Sequence, residues 1–220
     1  PGGLVIERER PTTVKTRVIA QGQQLIRLDQ EETASLGEQT AARLLAAFEK
    51  ALARADLVVL SDYDKGVLSD SICREMIRLA RQYKKPVVVD PKGADFRKYR
   101  DAGLATPNVR EAAAASGVKI ESEESLVRAA AALHRIVKGR AIVVTRGARG
   151  ASVFERGRSP RHVAAIRPRS VYDVTGAGDT FIATLSLALA AGGSVIEAAE
   201  LGNVAGSIVV GKLGAASTDP

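Results

Sequence analysis

The sequence predicts an α/β fold, with a mostly parallel, doubly wound sheet and helices on both faces of that sheet. Short apolar runs, such as 57–60 and 141–145, alternate with longer segments whose apolar residues recur at helical spacing, such as 123–137. This alternation favours parallel strands, because each helix carries the chain back to the start of the next strand. The chain has 220 residues, of which 45% are hydrophobic, which is enough to bury the core of one large domain.

The same patterns, together with turn and capping residues, predict the individual elements in order. Two short strands at 14–20 and 25–29 surround Gly22. The predicted helices lie at 38–53, 69–83, from Asn108 onward, and at 123–137, 176–191 and 195–210. The predicted core strands lie at 57–60, 86–89, 104–106, 141–145, 151–154 and 162–166, and the last two form a hairpin.

Composition narrows the possible functions. The single cysteine, Cys73, rules out an internal disulfide framework and favours the reducing cytoplasm, and a small buried helix residue is its expected role. No apolar run approaches the ~20 residues of a membrane span. The net charge of +7 suits anionic ligands, but the basic residues are scattered and aromatic residues for stacking on bases are few, so nucleic acid is not the expected partner. His134 and His162 lie far apart, which argues against a zinc site.

The most informative segment is 173–180, Asp-Val-Thr-Gly-Ala-Gly-Asp-Thr, which opens an apolar helical run. A helix N-terminus has unpaired N–H groups, and Gly176 and Gly178 let the backbone approach an anion without interference from a Cβ atom. Asp179 is a poor neighbour for a static phosphate but a suitable base for a hydroxyl that attacks a phosphate. The alternative is that Asp179 is an ordinary first-turn acid, favoured by the helix dipole.

Two common nucleotide motifs are excluded by single residues. Phe181 occupies the third glycine position of a G-x-G-x-x-G motif. The segment from Gly206 to Lys212 has P-loop spacing, but Leu213 stands where that loop needs Ser or Thr. We therefore interpret this segment as a helix that ends at Gly211.

Polar motifs follow several of the predicted strands. They are Ser61-Asp62, Asp90-Pro-Lys92, Asn108, and Thr145-Arg-Gly147. Ligands of open α/β sheets bind outside the carboxyl ends of the strands, so these motifs are predicted to face one crevice.

The segment 171–179, Val-Tyr-Asp-Val-Thr-Gly-Ala-Gly-Asp, resembles the signature of the ribokinase-like (PfkB) carbohydrate kinases. With segments 23–29, 60–66, 89–96, 106–108 and 209–214, the chain is similar to one subfamily, the D-glycero-β-D-manno-heptose 7-phosphate kinases of lipopolysaccharide core biosynthesis. The resemblance implies phosphoryl transfer from MgATP to the anomeric hydroxyl of the heptose 7-phosphate. It also implies lid-like strands in residues 1–30, a nucleotide-binding core in 31–220, and a homodimer. Another PfkB-family sugar or nucleoside kinase and a nonenzymatic nucleotide-binding module remain as alternatives.

The resemblance also implies roles for single residues. Asp179 is the base, and the amides of Gly176, Ala177, Gly178 and Asp179 stabilise the transferred group. The implied nucleotide contacts are Asn108, Glu111, Thr145, Gly147, Asn203 and Lys92, and the implied substrate contacts are Asp62, Lys65 and Arg27. Asn108 and Glu111 are also the implied Mg²⁺ residues, acting through phosphate or water. A possible K⁺ loop would hold Asp173 and Thr175. Each has a structural alternative: a capping box at Asn108 and Glu111, a plain hairpin turn after Thr145, packing for Asn203, and exposed surface for the basic residues.

The chain departs from the kinase pattern at its start. Ribokinase-like kinases begin with a strand and an acidic sugar-binding motif, followed by a Gly-Gly segment, whereas Pro1-Gly2-Gly3 lies too close to the lid-like strands to supply all of these parts here. We therefore expect about the first third of a kinase domain, with most of the sugar pocket, to be missing from this chain. We also expect this chain to lack the adenylyltransferase domain that some subfamily members carry, and we expect the chain alone to be weakly active or inactive.

Overall fold

The computed structural model describes residues 3–20, 23–166 and 174–212, and its first unit is a two-stranded ribbon. Strands β1 (Val14–Ala20) and β2 (Gln23–Gln30) pair antiparallel, with Val14 opposite Gln30 and Val18 opposite Ile26. The register shifts after Val18, which marks a β-bulge. Every residue of the ribbon whose burial is described is exposed to solvent, so the ribbon stands clear of the core.

The central sheet has six strands in sequential order. They are β3 (Val58–Ser61), β4 (Val87–Asp90), β5 (Leu104–Ala105), β6 (Ala141–Thr145), β7 (Ala151–Glu155) and β8 (Arg161–Val163). The first four are parallel, so their carboxyl ends meet at one edge, and the last two form the predicted antiparallel hairpin. The hairpin ends earlier than predicted, at Val163 rather than Ile166. The reason is that β7 begins at Ala151, opposite Val163, and leaves residues 164–166 without a partner on that strand.

Helices cover both faces of this sheet. They are α1 (Glu38–Leu52), α2 (Asp70–Gln82), α3 (Val109–Ser116), α4 (Glu123–Val137), α5 (Ala177–Ala190) and α6 (Val195–Val210). Helices α1 to α4 pack with Val89 and Ile142 on one face, whereas α5 and α6 pack with Val88 and Val143 on the other. Successive residues of a strand point to opposite faces, so the continuous apolar runs of β4 and β6 serve both cores.

The doubly wound fold predicted from the sequence is confirmed, and several boundaries agree closely. Helices α4 and α6 and strand β6 span the predicted residues, and α6 is followed by Gly211 as its C-cap. Cys73 is fully buried on α2, as expected for a structural cysteine. Among the described residues, no helix is both long enough and apolar enough to cross a membrane.

Candidate active site

The glycine turn before α5 forms an open backbone cradle. Gly176 caps the helix with a left-handed φ of 81°, a conformation that favours glycine. A Cβ atom built on Gly176 or Gly178 would meet no other atom within 4 Å, so open space borders the turn. No hydrogen bond among the described residues uses the N–H groups of Gly178 and Asp179. Two unused donors at the positive end of a helix dipole can hold an anion.

Asp179 lies in the first turn of α5 and accepts a hydrogen bond from a distant loop. The Tyr63 hydroxyl donates to Asp179 Oδ1 at 2.6 Å, although the two residues are 116 positions apart in sequence. This bond, with burial and the charge of Asp179, raises the pKa of Tyr63 to about 12. Tyr63 was not among the site residues predicted from the sequence, because nothing local in the sequence pairs it with Asp179.

Asp62, predicted to contact the substrate, lies in the interior under this loop. Its side chain is 2% exposed. Oδ2 accepts from the Tyr99 hydroxyl at 2.5 Å and pairs with Lys98 Nζ at 2.6 Å, and Oδ1 accepts from the Asp64 amide at 2.8 Å. The structure therefore places the Asp62 carboxylate where it holds the 61–66 loop in shape, and its contact with a substrate stays a prediction.

Asp90 ends β4 and adds a second acidic group beside Asp179. Its pKa is raised to about 6, first by burial and then by the negative charges of Glu111 and Asp179. Thr106 Oγ1 lies 3.4 Å from Asp90 Oδ1 and offers a weak hydrogen bond. The sequence placed Asp90 on the predicted rim but not among the site residues. The negative charges of Glu111 on α3 and Asp179 on α5 thus disfavour ionisation of Asp90 on β4, a setting suited to a proton transfer.

Asn108 and Glu111 form the capping box that the sequence indicated at the start of α3. Asn108 Oδ1 accepts hydrogen bonds from the backbone N–H groups of Arg110 and Glu111 at 2.9 and 3.0 Å, and Glu111 Oε2 accepts one from the backbone N–H of Asn108 at 2.9 Å. The other oxygen, Oε1, pairs with Lys92 Nζ at 2.8 Å, which raises the pKa of Lys92. The capping box is confirmed, and a role for these residues toward Mg²⁺ or a nucleotide stays a prediction.

The described residues contain no group of three or more His, Cys, Asp or Glu side chains arranged to hold a metal ion. Mg²⁺ keeps several waters and binds proteins through one or two carboxylates together with substrate phosphates, so the predicted contacts of Asn108 and Glu111 with Mg²⁺ do not require such a group and stay a prediction. The predicted K⁺ loop is described only in part, because Asp173 lies outside the described residues while Thr175 lies within them.

The other predicted nucleotide contacts lie on β6, on the turn after it and on α6. Thr145 ends β6 and forms an isolated parallel β-bridge with Asn108, so the two residues lie side by side at the carboxyl edge of the sheet. Gly147 has a φ of 58°, and open space borders its α carbon. Asn203 Nδ2 lies 3.3 and 3.4 Å from the carbonyl oxygens of Val163 and Ala164, so its amide holds α6 against the end of β8.

The two basic residues predicted to bind the sugar phosphate both pair with acids. Lys65 Nζ lies 2.5 Å from Glu31 Oε1, and Arg27 Nε lies 2.9 Å from Asp29 Oδ1 on the ribbon. Among the described residues, neither side chain forms a hydrogen bond or an ion pair with residues 176–179. The role of Lys65 and Arg27 in substrate binding stays a prediction.

The geometry agrees with a comparison against known families. The model of the family described as "pfkB family carbohydrate kinase" matches residues 3–220. The chain belongs to this family. Its members are phosphotransferases with an alcohol group as acceptor, which confirms the enzyme class that the resemblance implied.

Curated relatives support the subfamily resemblance. The chain is 47% identical over 212 residues to the "Bifunctional protein HldE" of Caulobacter vibrioides, covering 96% of this chain and 43% of the relative. It is 43% identical over 217 residues to the protein of that name from Desulfatibacillum aliphaticivorans, covering 99% of this chain and 44% of the relative. The chain thus spans less than half the length of these relatives.

Solved structures with the same fold are more distant in sequence. The Arabidopsis thaliana ribokinase complexed with ribose and ATP aligns with a TM-score of 0.75 at 23% identity, covering 94% of this chain and 65% of the ribokinase. The Escherichia coli phosphofructokinase-2 in complex with potassium aligns with a TM-score of 0.77 at 22% identity, covering 94% of this chain and 66% of that enzyme. At this level of identity, the two alignments confirm the ribokinase-like fold.

Proposed function

We propose that this chain carries the phosphoryl-transfer site of a kinase that uses ATP to phosphorylate the anomeric hydroxyl of D-glycero-β-D-manno-heptose 7-phosphate. The observation that carries the proposal is the carboxylate of Asp179 in the first turn of α5, beside an open glycine turn with two unused amide donors. The identity to the bifunctional HldE proteins favours the heptose phosphate over other sugars. The product would be the 1,7-bisphosphate, formed in the cytoplasm for the ADP-heptose of the lipopolysaccharide core.

The transfer itself would be a displacement at the γ-phosphorus of ATP. The anomeric oxygen forms a bond to that phosphorus while the bond to the β,γ-bridging oxygen breaks, so ADP leaves. Asp179 accepts the proton of the attacking hydroxyl. The amides of Gly178 and Asp179 donate to the phosphoryl oxygens, which carry the negative charge of the transition state.

Mg²⁺, when bound with ATP, would neutralise phosphate charge, and Asn108 and Glu111 are the residues proposed to lie nearest it. Lys92, which pairs with Glu111 at 2.8 Å, is proposed to meet a phosphate oxygen as a point charge. Thr145, Gly147 and Asn203 are proposed to line the nucleotide side of the crevice. Thr175, with Asp173, is proposed to border a bound K⁺.

The direct test incubates the purified chain with ATP, Mg²⁺ and the heptose 7-phosphate. A coupled assay measures the release of ADP, and ³¹P NMR identifies the product through a new anomeric phosphate signal. A panel of other sugars and nucleosides serves as the acceptor control. Preference for another acceptor would replace the heptose assignment. Titration calorimetry that detects ATP binding without any turnover would instead make this chain a nonenzymatic nucleotide-binding module.

The ribbon of residues 1–30 is proposed to act as a lid and as a homodimer interface, beside a core of residues 31–220. Its register places Val14, Val18, Ile26 and Leu28 on one face, and each of them is between 42% and 55% exposed. The opposite face carries charged side chains, including Lys15 paired with Asp29. A second copy of the same ribbon would cover the apolar face, since two like faces are self-complementary about a twofold axis.

Light scattering coupled to gel filtration tests this interface. The double change Val18→Lys and Ile26→Lys places charge at the centre of the apolar face and should give a monomer. The matched control Arg17→Gln lies on the charged face and should keep the mass of the parent. A parent chain that is monomeric at high micromolar concentration would contradict the proposed homodimer.

A further inference from the structure

We infer that Tyr63 is a positioning residue for Asp179: its phenol holds one carboxylate oxygen so that the other faces the acceptor hydroxyl. This inference rests on the proposed function, in which Asp179 is the base. The Tyr63 hydroxyl lies 2.6 Å from Asp179 Oδ1, the length typical of a hydroxyl that donates to an ionised carboxylate. Among the described residues, Oδ2 of Asp179 has no hydrogen-bond partner. One oxygen is therefore held and the other is left for chemistry.

The position of Tyr63 is set by its two neighbours in the chain. Asp62 is anchored in the interior by Tyr99 and Lys98, and it also accepts from the Asp64 amide, which follows Tyr63 directly. Asp64 adopts a left-handed φ of 55°, a conformation that an aspartate tolerates when its backbone is held locally. The Tyr63 backbone is thus fixed on both sides, although the residue is 53% exposed.

The far end of the loop is fixed as well. Gly66 has a φ of 74°, and a Cβ there would lie 1.9 Å from the Ala34 carbonyl oxygen, so its backbone packs directly on that of Ala34. The Arg10 guanidinium donates to the carbonyl oxygens of Ala34 and Lys65, joining the same two segments. A loop anchored at Asp62 and at Gly66 can present the Tyr63 hydroxyl at a defined point.

A donor to Asp179 matters because the terminal torsion of a carboxylate has a broad energy well. An unpaired carboxylate rotates between orientations, and only some of them aim an oxygen at the acceptor. Fixing the reacting group in the productive orientation removes that loss. A neutral phenol suits this role better than an ammonium, because a full positive charge beside the base would weaken its affinity for the proton. Lys92, which follows β4, is paired with Glu111.

The kinetic test compares Tyr63→Phe with the control Tyr83→Phe. Tyr83 also donates to an acid, Glu49 Oε1 at 3.3 Å, but it lies at the end of α2. Tyr63→Phe should lower kcat about tenfold, the scale of one hydrogen bond to a charged group, with little change in the KM for the sugar. Tyr83→Phe should match the parent in both quantities.

Two results would overturn the inference. One is a kcat for Tyr63→Phe equal to that of the parent. The other is a lower KM with an unchanged kcat, which would mean that Tyr63 competes with the acceptor hydroxyl for Asp179 instead of orienting it.

A second measurement does not depend on turnover. The chain has only four tyrosines, so ¹³C labels at their Cζ atoms give few NMR signals, and Tyr63→Phe assigns the signal of Tyr63. In the parent this signal should stay that of the neutral phenol to about pH 11, and in Asp179→Asn it should titrate at a lower pH, because the hydrogen bond to Asp179 is the largest cause of the raised pKa of Tyr63. An unchanged titration in Asp179→Asn refutes the contact. A shifted titration in a chain without kinase activity would support the contact and leave the proposed function as the claim that failed.

Discussion

The buried ion pair between Asp62 and Lys98 has a consequence for stability that can be measured. Lys98 Nζ lies 2.6 Å from Asp62 Oδ2, and the two side chains are 10% and 2% exposed. Lys98→Met removes the cation and keeps most of the apolar stem. The Asp62 carboxylate would then stay buried with only the Tyr99 hydroxyl and the Asp64 amide as donors. Breaking one side of a buried pair costs roughly 3–5 kcal/mol, and we expect about 3 kcal/mol because two donors remain.

A change of this size is visible in thermal unfolding. For a chain of this length, 1 kcal/mol corresponds to about 2–4 °C in Tm, so Lys98→Met should unfold about 6–12 °C below the parent by circular dichroism. The double variant Asp62→Asn and Lys98→Met removes both charges and should recover most of that loss, because no uncompensated charge is left in the interior.

The matched control is Arg78→Met, which breaks an exposed ion pair with Glu75 on α2 and should unfold close to the parent. The reasoning would be refuted if Lys98→Met were as stable as Arg78→Met. It would equally be refuted if the double variant were less stable than Lys98→Met alone.

Two further predictions concern Asp90 and the glycines with positive φ. Asp90 has a folded pKa of about 6, above its ordinary 3.8, so its ionised form destabilises the fold, and this penalty is absent below about pH 4 and complete above about pH 6. Asp90→Asn should therefore raise the free energy of unfolding by up to roughly 3 kcal/mol in metal-free buffer at pH 7.5, which thermal unfolding would show as a higher Tm. The gain should be much smaller at pH 4. A variant less stable than the parent at pH 7.5 would contradict this prediction. Gly66 and Gly157 share a φ of 74°, but only at Gly66 would an added Cβ atom meet backbone, at Ala34. Gly66→Ala should therefore lose clearly more stability in urea denaturation than Gly157→Ala. Equal losses would argue against the close packing of Gly66 on Ala34.

Much of the fold could be predicted because its signals are local. The capping box of Asn108 and Glu111 lies within four residues, and the structure shows its hydrogen bonds in both directions. The apolar spacing of α4 and the continuous apolar run of β6 likewise gave correct boundaries. Such patterns depend on the backbone periods of helix and strand, which any stretch of sequence displays.

The candidate site was less predictable, because its contacts join distant parts of the chain. The bond between Tyr63 and Asp179 spans 116 positions, and no pattern in either segment encodes it. The contacts that enclose Asp62 come from Lys98 and Tyr99, in a short turn further along the chain, and its contact with a substrate stays a prediction. Burial of this kind depends on tertiary packing, which a strand-end position alone does not reveal.

The central claim is that Asp179 is the base that accepts the proton of the sugar hydroxyl. The most direct measurement is kcat for Asp179→Asn with heptose 7-phosphate and ATP, together with the Kd for ATP from titration calorimetry. The account predicts a kcat lower by about two to four orders of magnitude, the usual contribution of a general base, while ATP still binds. A kcat for Asp179→Asn close to that of the parent would contradict it.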